Sequence, residues 1–96
     1  MPLYVLIGRD GADGVALRGQ HRDAHLLHAG ALSEAGRIRF GGPLRDESDS
    51  PVGSVIVFEA TDLPAARAVA EADPYVTKGI FATWEVFETS QIFPAP

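Results

Sequence analysis

A chain of 96 residues is long enough for one compact domain with one modest core. The net charge of −5, from 13 acidic against 8 basic residues, disfavours a phosphate-backbone partner, and the absence of cysteine removes disulfides, thiolate nucleophiles and Cys-based metal centres. Hydrophobic content of 46% with 22% charged residues is that of a chain that folds rather than one that stays disordered.

The first apolar run, residues 3–7 (Leu-Tyr-Val-Leu-Ile), is rich in strand formers and closed by Gly8. It reads as a strand buried on both faces and central in its sheet. The N-terminus has no positive n-region and too short an apolar stretch for a signal or a membrane span, so a cytoplasmic protein with no membrane partner is expected. Arg9 to Gly14 reads as a loop, and Val15 to Ala35 as a helix stopped by Gly36, with Leu17, Ala24, Leu27, Ala31 and Ala35 forming the stripe that would lie on a sheet. His21, His25 and His28 run along the margin of that stripe.

Arg37 to Phe40 alternates charged and apolar residues, a strand that Gly41-Gly42-Pro43 should end in a tight turn open to close backbone approach. Leu44 to Gly53 is polar and reads as a long surface loop or flap. Ser54 to Ala60 is a nearly continuous apolar strand, followed by Asp62 as an N-cap, Pro64 in the first turn, and a second helix carrying Leu63, Ala66, Val69 and Ala70. That helix runs into Asp73-Pro74. An acid at the carbonyl end of a helix meets the wrong sign of dipole, so Asp73 should prefer its neutral form or need a cationic partner nearby. Ile80 to Phe87 is a final strand with apolar residues on both faces.

The order β-α-β-β-α-β predicts an α+β, ferredoxin-like fold with a four-stranded antiparallel sheet and both helices on one face. Strands apolar on both sides imply a covered open face, for which a homodimer packing sheet on sheet is the simplest solution, the 89–96 tail with Ile92 and Phe93 adding to the cover. No linker or repeat divides residues 1–96.

In this fold a residue on the margin of the first helix can meet the end of the second, which pairs Asp73 with a histidine, His25 foremost. A carboxylate bonded to one imidazole nitrogen fixes the tautomer and leaves the other nitrogen as a general base. On spacing alone a plain helix-stop Asp73 and a half-buried His25 stand ahead of that dyad, since the sequence gives no distance between them. A three-histidine metal site is disfavoured, because positions i and i+7 are roughly 10 Å apart along the axis while metal–nitrogen bonds are about 2 Å. His21 and His28 then read as solvated. No nucleotide fingerprint follows Gly41-Gly42, and no serine has a nucleophile context. Arg22, one turn before His25, and Tyr75, two residues after Asp73, are placed to orient an anionic or phenolic small molecule.

Leu3-Tyr4-Val5, Arg22-x-x-His25-Leu26, Gly36-Arg37 with Gly41-Gly42-Pro43, and Ala72-Asp73-Pro74-Tyr75-Val76 with Gly79-Ile80-Phe81 occur in that order over nearly the whole chain. Together they resemble the YCII-related family of small YciI-like proteins. The resemblance implies a ferredoxin-like, dimeric α+β barrel and an active site built on a His–Asp pair, which maps onto His25 and Asp73. Gly42 and Pro43, with Arg22 and Tyr75, are the candidate substrate-binding positions. A branch of the family acts on chlorinated hydroquinones, and related barrels include lactone isomerases and cofactor-free monooxygenases. The resemblance therefore implies acid–base chemistry of lyase or isomerase type on a small molecule, with no cofactor and no metal. A binding or regulatory module that holds a small molecule unchanged is the alternative. Substrate and reaction are not legible at this level.

Overall fold

The computed structural model of the chain describes residues 1–96. Its elements are β1 (Leu3–Asp10), α1 (Gly14–Glu34), β2 (Ile38–Arg45), β3 (Pro51–Glu59), α2 (Leu63–Glu71), α3 (Pro74–Thr77) and β4 (Phe81–Thr89). The four strands form one sheet in the order β2-β3-β1-β4, every neighbouring pair antiparallel. This is the ferredoxin-like α+β fold, with β1 central as its unbroken apolar run requires.

Alternation along the strands separates two faces. Tyr4 and Leu6 of β1, Ile56 and Phe58 of β3 and Val86 of β4 are buried on the helix side, where Ala60, Ala66 and Ala70 complete the main core. Ala66 and Ala70 of α2 are almost wholly inaccessible, so this helix lies close against the sheet. Tyr75, Ile80 and Phe81 form a second, smaller cluster with Leu17 packed on it. Gly8 sits beneath this cluster: a methyl group added there would lie 2.5 Å from the Phe81 ring. Gly8→Ala is expected to overpack the junction at a cost of about 1–3 kcal/mol, lowering the melting temperature by about 4–8 °C per kcal/mol. An unchanged thermal melt would show that Phe81 can swing aside.

Helix α1 departs from its predicted seating. Ala24, Leu27, Ala31 and Ala35 of the expected stripe are exposed, Leu27 by 78%, and no residue of α1 beyond Gly14 is buried. The side turned inward carries Arg18, His21, His25, His28 and Leu32 instead. Three alanines bury too little area to fix a helix's rotation, whereas hydrogen bonds from Arg18, His25 and His28 do. The helix end is as expected: Gly36 takes φ 73°, and the N–H groups of Gly36 and Arg37 bond to the carbonyls of Ser33 and Leu32 in a Schellman closure.

Two further boundaries move. Gly41-Gly42-Pro43 is not a turn; β2 runs through it to Arg45, paired with β3 over Gly41↔Ile56, Gly42↔Val55 and Pro43↔Ser54. A proline fits there because β2 is an edge strand and needs no donor on its outer side. The long loop shrinks to Asp46–Ser50, where the Asp46 side chain accepts from the N–H groups of Ser48 and Ser50 and stands in for strand pairing. Asp62 caps α2 as predicted, accepting from Ala65 N at 2.8 Å.

The second face of the sheet is apolar and unpartnered. It presents Leu3, Val5 and Ile7 of β1, Val55 and Val57 of β3, and the exposed Phe40, Leu44 and Phe87. The tail does not cover it: Ile92 and Phe93 are 66% and 89% exposed. No helix is long and apolar enough to cross a membrane.

Candidate active site

Asp73 stands between two helices, and its setting reverses the electrostatic expectation. Helix α2 closes on Ala72, and Asp73 begins the next helical turn as the N-cap of α3, its Oδ1 accepting from Tyr75 N at 2.9 Å. A carboxylate at a helix N-terminus meets the favourable end of the backbone dipoles. The proline read as a helix stop is the first residue of a new turn, a position that lacks a required donor.

The same oxygen accepts a second hydrogen bond, from His25 Nδ1 at 2.8 Å. Asp73 is 1% exposed, and its Oδ2 is buried without a partner. The carboxylate is thus held through one oxygen by two donors. This bond fixes the proton of His25 on Nδ1 and leaves Nε2, which bonds to no group of the chain, as the acceptor. The imidazole lies flat on the Tyr75 ring, with centroids 3.8 Å apart and planes 3° from parallel, and Tyr75 meets Phe81 edge-on at 5.8 Å. Rotation of the imidazole is therefore blocked by a bond on its edge and a ring on its face.

His25 and Tyr75 open onto a cleft of about 490 Å³ between α1 and the sheet. The cleft exists because the inner side of α1 is polar and stands off the strands, while α2 seals the other half of the same face. Its floor is Ser54 and Ile56, and the glycine-rich stretch of β2 forms one wall, with no side chain at Gly41 to narrow it. Arg22, His25, Tyr75, Gly42 and Pro43 all line this cleft, whereas Asp73 lies behind His25. Burial raises the Tyr75 hydroxyl above the ordinary tyrosine pKa of 10.0; the charges of Arg18 and Arg22 pull the other way, and Asp73 adds to the rise. Tyr75 is a neutral hydrogen-bonding group at physiological pH.

The other two histidines are separate from this pair. His28 Nε2 meets the carbonyl oxygen of Val69 at 3.1 Å, which ties α1 to α2, so it is not the solvated residue expected. His21 is half-buried and shares no bond with His25 or His28.

Arg18 is a site residue that the spacing argument passed over. Its guanidinium bonds both oxygens of Asp10, at 2.6 and 2.9 Å, and lies 5.0 Å from the Tyr75 ring centre. The bond to Asp10 holds the guanidinium all the more firmly in its charged form. Two signals pointed to it: Arg18 is seven residues before His25 and so on the same helical face, and Asp10 lies just before a glycine-bounded turn.

Residues 2–90 match the YCII-related domain. The chain is 35% identical to Protein YciI of Escherichia coli O6:H1 over 97 residues, covering 95% of this chain and 99% of that protein. Among solved structures it is similar to the 5-chloro-2-hydroxyhydroquinone dehydrochlorinase TftG of Burkholderia phenoliruptrix AC1100, in complex with 2,5-dihydroxybenzoquinone. That likeness has a TM-score of 0.82 and 25% identity over 93% of this chain and 94% of that one. A NIPSNAP domain protein of Burkholderia xenovorans shares the fold at a TM-score of 0.53 and 18% identity, over 100% of this chain and 99% of its own.

Proposed function

This chain belongs to the YCII-related family, and on that footing we propose that it is a small-molecule enzyme in which His25 takes a proton while Asp73 holds it in place, with an elimination or isomerisation outcome. The observation that carries this reading is the 2.8 Å bond between His25 Nδ1 and the buried Asp73, with the other face of the imidazole edge turned to a cleft large enough for a single-ring molecule. In an elimination, His25 Nε2 accepts the proton, the freed electron pair becomes a new π bond, and the leaving group departs with the electrons of its own bond. Asp73 steadies the imidazolium formed on the way without taking a proton itself. The likeness to a dehydrochlorinase supports a halide as one such leaving group.

The test is chloride release from 5-chloro-2-hydroxyhydroquinone and other chlorinated hydroxylated rings, followed alongside the organic product. Release by the wild-type protein that is lost in a His25 variant of unchanged fold supports the reading. A ring compound that binds tightly and is recovered unchanged would identify a binding module instead.

The same proposal includes a second copy of the chain on the open sheet face, because Val5, Ile7, Val55, Val57, Phe40 and Phe87 make an apolar surface that a monomer would leave in water. Light scattering is expected to give twice the mass of the 10.2 kDa chain, and Val57→Asp to halve it. A wild-type monomer would remove this part of the proposal.

A further inference from the structure

The cleft contains a cation that the acid–base reading leaves unused. Arg18 donates from Nε and Nη2 to both Asp10 oxygens, and from Nη2 also to Gly53 O at 2.8 Å and Ser54 Oγ at 3.0 Å. With side-chain exposures of 12% for Arg18 and 5% for Asp10, the guanidinium is clamped in one orientation. Its third nitrogen, Nη1, takes no part in these bonds and is not sealed from solvent, and the other hydrogen-bonding group beside the guanidinium is the Tyr75 hydroxyl, which also faces the cleft. An immobile guanidinium with one nitrogen left over from its clamp loses little freedom when that nitrogen is used, which is the condition for a preorganised oxyanion donor.

The surroundings select the sign of the occupant. Arg18 and Arg22 both line the cleft, and none of the chain's 13 acidic side chains does. Arg18 lies against the Tyr75 ring on which His25 is stacked, so donor and base address one space. Arg22 differs in kind: it is exposed and makes no ion pair within the chain, which suits it to attract an anion rather than fix one.

We propose that Arg18 Nη1 binds an ionised oxygen of the substrate, which is therefore a small molecule that carries a phenolate or enolate oxygen or develops one as His25 removes the proton. The assignment rests on the reading of this cleft as the substrate site and adds the substrate class to it.

The experiment compares two probes of like shape, para-nitrophenolate and para-nitrotoluene, by equilibrium binding to the full chain. Wild-type protein is expected to prefer the phenolate. Arg18→Lys keeps a cation beside Asp10, yet one ammonium cannot serve Asp10 and a ligand together. It is expected to weaken phenolate binding about 10- to 100-fold and leave the toluene unchanged. If the lysine variant fails to fold, the Asp10→Asn/Arg18→Met pair removes both buried charges at once and carries the same expectation. Arg22→Met is expected to cost less, with the loss disappearing at high salt. Equal phenolate binding by wild type and Arg18→Lys, or an equal loss of both probes, would overturn the assignment. His25→Asn should still prefer the phenolate, so failure of the base and failure of the oxyanion donor give different results.

Discussion

His25→Asn is expected to abolish turnover and leave the fold intact, whereas His25→Ala damages both. The amide nitrogen of asparagine occupies nearly the place of imidazole Nδ1, so it can still donate to Asp73 Oδ1 while supplying no basic nitrogen at the cleft. Loss of a positioned general base costs about 10²- to 10⁴-fold in rate. Alanine also leaves Asp73, 1% exposed, with one donor in place of two. An under-bonded buried group costs about 1–3 kcal/mol, and loss of the stack on Tyr75 about 0.5–1.5 kcal/mol more. Chloride release and thermal melts on the two variants separate the effects. An asparagine variant that turns over at the wild-type rate would end the role of His25 as base.

Asp73 carries the second large effect, because one oxygen accepts both the helix-cap bond and the bond from His25. Asp73→Ala removes an N-cap, worth about 0.5–2 kcal/mol, and strands the N–H groups of Tyr75 and His25 in a buried place. The expected total is about 2–4 kcal/mol, with a melting temperature lower by roughly 10–25 °C for a domain of this size. Asp73→Asn keeps an oxygen for both donors, although its amide nitrogen falls where Oδ2 now has no partner, so some stability is lost. A neutral amide no longer stabilises the imidazolium, and turnover should fall well below wild type while the protein stays folded at 25 °C. Wild-type turnover in the asparagine variant would show that Asp73 serves the fold alone.

The parts of this molecule legible in the sequence are those where one period or one cap dominates. Short apolar runs placed β1, β3 and β4, Gly36 placed the end of α1, Asp62 the start of α2, and the order of elements fixed the ferredoxin-like arrangement. The errors arise where a weak local preference yields to a long-range bond. Gly41-Gly42-Pro43 is turn chemistry by composition, yet pairing with Val55 and Ile56 holds it extended at a sheet edge. Asp73-Pro74 looks like a helix stop because a single turn of helix has no periodicity to detect, and α3 has four residues. The face of α1 was misplaced because its alanines outnumber the polar residues that orient it, and the partners of those polar residues, Asp10, Asp73 and Val69, lie at sequence separations of 8, 48 and 41. The approach of His25 to Asp73 could be named from fold geometry and resemblance; its stacking on Tyr75 and the Arg18 clamp required coordinates.

The helix that bears His25 is fastened to the rest of the molecule mainly by three polar pins: Arg18 to Asp10, His25 to Asp73, and His28 to the Val69 carbonyl. Apolar burial, which seats α2, weakens on cooling, while hydrogen bonds do not share that dependence. The two helices therefore answer temperature differently. Near the melting point α1 is expected to lift first, parting His25 from Asp73 before the sheet comes apart, and amide exchange that is faster in α1 than in α2 on heating, with the gap narrowing on cooling, would read that order.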